Sequence, residues 1–302
     1  MKLEHIGMVG YGEVGKVFTA GLKNSVDSVS AWDLKFDAAG ATSTAARDAE
    51  LAHAAQAGVH VCESLQALCE KADLVISAVT AANTLDVAQA AAAHLRPGAI
   101  FLDLNSASPG TKQQAAHVID AAGAFYVEAG VMTSVPPYGI RVPMLLGGAQ
   151  AQALAEKLRG FGMDAKVVAS QIGVASAVKM CRSVMIKGLE ALVIESYTTA
   201  RKYGVEDYMI PTLAETFPSI DWEKQGAYFF SRVAQHGKRR AQEMREAANT
   251  VREAGFEPWM AAAIAEKHDW VATQSGDGVF DGLPEDASWQ QFADRLLRQS
   301  QL

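Results

Sequence analysis

The chain has 302 residues, 49% of them hydrophobic, and a formal net charge of -7. That length suggests two domains with ample cores, and the negative balance argues against nucleic acid or an anionic membrane as the main partner. The three cysteines, Cys62, Cys69 and Cys181, show no C-x-x-C spacing, so they read as reduced thiols of a cytoplasmic protein and not as a disulfide framework or zinc site. No signal-like segment precedes the first apolar run, and charges such as Lys179, Arg182, Lys187 and Glu190 break the longest apolar stretch. The histidines show no H-x-x-x-H pairing, so nothing supports a metal site.

The chain opens on its most informative stretch. Ile6 to Val9 is an apolar run of buried-strand length, and Gly10-Tyr11-Gly12-Glu13-Val14-Gly15 follows it. Three glycines at this spacing suit a strand-to-helix turn over a pyrophosphate, because the backbone must turn tightly, approach the phosphates and let the helix pack on the strand. A helical period continues through Val17, Phe18 and Leu22, so the loop opens onto a helix N-terminus, which favours anions. Val29 to Trp32 is the second strand, and Asp33 ends it. A carboxylate there accepts hydrogen bonds from the adenosine ribose and repels a 2′-phosphate, which predicts NAD. Lys35, two residues on, leaves NADP possible.

Beyond Asp33 the pattern alternates. Ala45 to Ala57 is helical by composition, Val59 to Cys62 a strand, and Ser64 caps a helix through Lys71. Leu74 to Val79 is the clearest buried strand, ending at Thr80-Ala81-Ala82-Asn83. A helix over 85–95 and a strand over 99–102 lead into Asp103-Leu104-Asn105-Ser106. A helix over 111–122, strands near 123–127 and 142–146, a helix over 151–161 and a strand over 165–168 complete the series. Strands and helices alternating at this spacing predict an α/β fold, a Rossmann doubly wound parallel sheet, over residues 1–168. From Ile172 only helical periodicity remains, so residues 169–302 are expected to form an all-helical domain for substrate binding and dimerisation.

The helix opening the second domain carries Lys179, Ser183, Ile186 and Lys187 on one face. A lysine among apolar neighbours loses hydration, and its proton affinity falls toward the range useful for proton transfer. A lysine snorkelling along a helix surface is the commoner arrangement.

With the glycine fingerprint, Asp103-Leu104-Asn105-Ser106, and Gly173 followed by Lys179 in place, the sequence resembles the β-hydroxyacid dehydrogenases. That family includes 3-hydroxyisobutyrate and 6-phosphogluconate dehydrogenases, and the resemblance runs along nearly the whole chain. It implies an NAD(P)-dependent oxidoreductase acting on a CH–OH group, with Lys179 as general acid/base. It further implies that Gly10, Tyr11, Gly12, Glu13, Val14, Gly15, Asp33 and Asn105 contact the cofactor, with Val79 and Thr80 on the nicotinamide side. Ser106, Met132, Thr133, Ser183 and Arg240 would then face the substrate. Two departures stand out: Ser183 takes the place of the family's asparagine, and Glu128-Ala129-Gly130-Val131-Met132-Thr133-Ser134 replaces its substrate loop. Met132 stands where a serine would hold a small acid, so a bulkier or more apolar substrate is expected.

Lys238-Arg239-Arg240 has two readings: a solvated helix face pairing with Glu243 or Glu246, or a clamp on a substrate carboxylate. The rival activities are imine reduction on the same scaffold, against which Lys179 argues, and dinucleotide binding without turnover. The expected partners are a small-molecule substrate and a second copy of the chain, a homodimer formed through the helical domain.

Overall fold

The computed structural model describes residues 2–37 and 40–299. The chain separates into two compact units, one reaching Met180 and the other starting at Cys181.

The first unit alternates strand and helix: β1 (His5–Val9), α1 (Glu13–Leu22), β2 (Ser28–Trp32), α2 (Thr44–Gln56), β3 (His60–Val61), α3 (Leu65–Cys69), β4 (Leu74–Ser77) and α4 (Thr84–Ala92). It continues with β5 (Ile100–Asp103), α5 (Pro109–Ala121), β6 (Phe125–Val131), β7 (Met144–Gly147), α6 (Ala151–Gly160) and β8 (Ala165–Ala169). Serines 43, 64 and 108 each begin a helix by accepting the amide of the residue three further on, which satisfies an otherwise unpaired donor. The strands form one sheet in the order β3-β2-β1-β4-β5-β6-β7-β8. Its two faces follow the strand period of two. Ile6, Met8, Leu74 and Ile76 pack with Phe18 and Leu22 of α1 and Leu154 and Leu158 of α6. Val9, Val75 and Phe101 pack on the other face with Leu68 of α3, Ala88 of α4 and Ile119 of α5. Helices on both faces of a largely parallel sheet make the doubly wound architecture that the alternation predicts.

One strand departs from the expected all-parallel arrangement. β7 runs antiparallel to β6, with Gly130 opposite Leu145. The link between them carries only a short 3₁₀ turn, Gly139–Arg141, and no crossover helix, which a parallel return requires.

The helices that follow are α7 (Val174–Tyr203), α8 (Glu206–Thr216), α9 (Trp222–Glu253), α10 (Trp259–Gly276) and α11 (Trp289–Gln299). The second unit is all-helical among the described residues, and α9 and α10 pack along each other. Its core gathers Ile194, Tyr197, Trp222, Phe230, Val233, Trp289 and Phe292. The boundary differs from the expected one at the end of β8: it falls inside α7, between Met180 and Cys181. The reason is local, since amides at the start of α7 donate hydrogen bonds to Glu128 of the sheet.

Candidate dinucleotide and proton-transfer site

The strands β1, β2, β4, β5 and β6 are mutually parallel, so the segments that follow them share one edge of the sheet. Strand order reverses between β1, which leads outward to β2, and β4, which leads the other way. Such a switch point is where doubly wound sheets hold their ligands. The glycine loop follows β1 there.

Gly10 has a φ of +94°, and an added Cβ would lie 2.4 Å from the Ala78 carbonyl oxygen; at Gly15 it would lie 2.1 Å from the carbonyl oxygen of Gly10. Those two glycines close the turn and seat α1 on it. Gly12 is different: an added Cβ would meet no heavy atom of the described residues within 4 Å. Gly12 is the N-cap of α1 and brings no capping side chain, so the first amides of that helix are left for an anion. The loop therefore fits a pyrophosphate, with open space where the phosphates approach.

Asp33 sits at the end of β2 and organises this loop directly. Its Oδ2 accepts the Tyr11 amide at 2.6 Å and its Oδ1 accepts the Lys35 amide at 2.9 Å. Tyr11 contributes to the loop through its backbone. Its ring is turned inward against Phe36 and His53, 1% exposed, and its one amide proton goes to Asp33, so neither group points at a cofactor. Glu13 is exposed and Val14 half-buried on the first turn of α1.

The second part of the edge lies beyond β4 and β5. Asn105 Oδ1 accepts the Val79 amide at 2.7 Å, and Asn105 Nδ2 donates to Ser77 Oγ at 3.0 Å. The amide of Asn105, named above as a cofactor contact, thus ties the end of β4 to the loop after β5. Thr80 is exposed beside it. Under this loop lies an ion pair that sequence reasoning did not identify: Lys112 Nζ is 2.9 Å from Asp103 Oδ1, both side chains fully buried. Tyr126 donates its hydroxyl to Asp103 Oδ2 at 2.5 Å, and burial, then the neighbouring Asp103, hold that phenol well above its ordinary pKa. Asp103 also accepts the Asn105 amide at 2.8 Å. The network holds the segment carrying Ser106 rigidly at the sheet edge.

Lys179 meets Ser106 there. Lys179 Nζ donates to Ser106 Oγ at 2.6 Å, with both residues half-buried. These two residues, far apart in sequence, meet at this edge. Met132 and Thr133 follow β6 on the same edge, Met132 half-buried and Thr133 exposed.

Ser183 and Arg240 belong to the second unit and are both buried. Ser183 Oγ accepts from Lys187 Nζ at 3.2 Å, and Lys187 pairs with Glu243 at 2.8 Å. Arg240 matches neither sequence reading: its Nε donates to Glu190 Oε2 at 2.8 Å and its Nη2 to Glu190 Oε1. It is Arg239 that pairs with Glu243 on the exposed face. Breaking a buried ion pair costs about 3–5 kcal/mol, so Arg240 is held by Glu190 and is not presented as a free clamp. Arg182 is exposed. Among the described residues no group of His, Cys, Asp or Glu could hold a metal, and no helix is long and apolar enough to cross a membrane.

Comparison with known proteins agrees with this geometry. Residues 5–161 match the NAD binding domain of 6-phosphogluconate dehydrogenase, and residues 200–271 match a domain of unknown function (DUF1932). A conserved hypothetical protein from Sinorhizobium meliloti 1021 is 37% identical, with a TM-score of 0.76 over 99% of this chain and 97% of that one. The conserved protein MTH1747, of unknown function and structurally similar to 3-hydroxyacid dehydrogenases, is 27% identical with a TM-score of 0.65, covering 90% of this chain and 99% of its own. At 16% identity, 3-hydroxyisobutyrate dehydrogenase from Mycobacterium tuberculosis shares the fold, with a TM-score of 0.69 over 98% of this chain and 99% of that one. The glycine loop, the carboxylate after β2 and the matched span agree, and the chain belongs to the family that carries the NAD binding domain of 6-phosphogluconate dehydrogenase.

Proposed function

We propose that the protein is a nicotinamide-dependent dehydrogenase acting on a β-hydroxy acid or related alcohol, with NAD as the preferred cofactor and Lys179 as the general acid/base. The observation that supports this reading is the hydrogen bond from Lys179 Nζ to Ser106 Oγ at the ligand-binding edge of the sheet. The bound nicotinamide supplies a hydride acceptor; the chain's own residues position the substrate and move its proton. The glycine loop and the first turn of α1 hold the phosphates, and Asp33 the adenosine ribose. Ser106 orients the substrate hydroxyl. Lys179, as the free amine, takes the hydroxyl proton as the carbon gives up its hydride; in the reverse direction the ammonium returns it. Met132, in the place of a small polar residue, favours a bulkier or more apolar substrate than hydroxyisobutyrate.

The test is a panel of hydroxy acids assayed with NAD and NADP, followed by Lys179→Ala on the best substrate. Turnover should fall at least about a hundredfold, the low end for general acid–base catalysis. NAD affinity should hold, because the glycine loop and Asp33 are untouched. Lys179→Arg should fail as well, since a guanidinium does not release its proton near neutral pH. Near-normal turnover by Lys179→Ala would make the lysine structural and end this reading.

A further inference from the structure

We propose that Glu128 is a positioning residue for Lys179: a buried carboxylate from the sheet that caps α7 and sets where its lysine stands. The inference rests on the reading of Lys179 as the proton-transfer group.

A helix begins with unpaired amides, and a side chain at the N-cap ordinarily satisfies one of them. The residue before α7 is Gly173, with a φ of +107° and no side chain to offer. The amides are satisfied from elsewhere. Glu128 Oε1 accepts from Gly173 at 2.7 Å and Ala175 at 3.0 Å, and Oε2 accepts from Ser176 at 3.2 Å. Glu128 is 0% exposed and lies in the middle of β6, opposite Asp103 on one side and Gly147 on the other. A carboxylate in the middle of a sheet is costly unless it is fully hydrogen-bonded; the amides and the positive end of a 30-residue helix meet that need.

The neighbours of Glu128 are shaped around the same contact. Gly130, two residues on and therefore on the same face of β6, lies under α7: an added Cβ would be 2.9 Å from the Ala175 carbonyl oxygen and 3.5 Å from Lys179 Cβ. At Gly147 an added Cβ would be 2.6 Å from Glu128 Oε1. The first turn of α7 is thus fixed along its axis by Glu128 and in height by Gly130. Lys179 stands one turn beyond Ala175, so its reach to Ser106 Oγ, 2.6 Å, is set by those two contacts.

The experiment reads Lys179 directly and not only through activity. Lysine amines are trace-acylated with acetic anhydride across a pH series, and the labelling of Lys179 is measured by peptide mass spectrometry against the exposed Lys157. In Glu128→Gln one of the acceptors that hold the first turn of α7 is lost, so the Lys179 amine is released from Ser106 and should label several-fold faster at a given pH. Turnover should drop about tenfold or more, because small misplacements of a reacting group are expensive, while the NAD dissociation constant stays unchanged. Gly147→Ala pushes on the same carboxylate without removing it and should move labelling and turnover the same way; it decides the matter if Glu128→Gln does not fold. Labelling of Lys179 that matches the unmutated protein in the folded variants overturns the inference. Shifted labelling with turnover unaffected supports the positioning role and overturns instead the assignment of Lys179 as proton carrier.

Discussion

At the scale of single residues, Asp33 joins two tasks that are usually described apart. Its oxygens hold the amides of Tyr11 and Lys35, which orients the carboxylate and braces the glycine loop in one contact set. Each oxygen keeps a second lone pair for the ribose hydroxyls. A fixed negative charge at that point repels a 2′-phosphate, so NAD should bind more tightly than NADP in a fluorescence titration. Asp33→Ala should narrow the gap and also weaken NAD roughly tenfold or more, since a brace and a ribose contact go together. NADP binding more tightly to the unmutated protein would mean that Lys35 governs the choice. Lys179 and Ser106 were legible in the sequence through the resemblance. In the sequence Glu128 reads only as part of an altered loop, although a charge within the strand Phe125–Val131 is itself a sign of a buried, committed group.

At the scale of elements, α7, α9 and α10 enclose charged side chains in the second unit. Lys187 of α7 pairs with Glu243 of α9, and Glu190 of α7 pairs with Arg240 of α9. His268 of α10 lies 3.7 Å from Glu190, is fully buried, and neither ring nitrogen has a hydrogen-bond partner among the described residues. Burial first, then Arg240 and Lys187, push its pKa down from 6.5 to about 3, against the opposing pull of Glu243. The folded protein therefore keeps this imidazole neutral in a range where the unfolded chain binds a proton. The fold therefore loses stability as the pH falls from 6.5 toward 3, by about 5 kcal/mol in all. Denaturant unfolding at pH 7 and pH 4.5 should show this loss, and a His268→Gln variant should lose less over the same interval. Equal losses in both proteins would count against a neutral buried His268.

At the scale of the whole molecule, the long helix α7 leaves apolar side chains uncovered within the second unit. Val193 is buried and Leu189 half-buried, but Met185 is 67% exposed, Leu192 55% and Ile186 39%. Exposed apolar residues recurring along one helix usually meet a partner. We expect a homodimer formed through the helical unit, with this stretch of α7 in the interface. Sedimentation at micromolar concentration should give the dimer mass, and Leu192→Glu should shift it toward the monomer. A monomer for the unmutated chain removes the expectation.

The sequence by itself determined the sheet-and-helix alternation, the glycine loop with its carboxylate, the change to an all-helical second part and the turn of α7 that carries Lys179. Each of these is written in residues close together in the chain, where hydrophobic period, a cap or a glycine acts through its immediate neighbours. Tertiary structure alone decided the reversed direction of β7, the position of the unit boundary inside α7, the Lys112–Asp103 pair and the partner of Arg240. It also decided that Glu128 caps a helix 45 residues further on. No local period encodes such contacts. They depend on which buried charge finds which partner once the sheet and helices have packed, and the cost of leaving a buried charge unpaired fixes the choice.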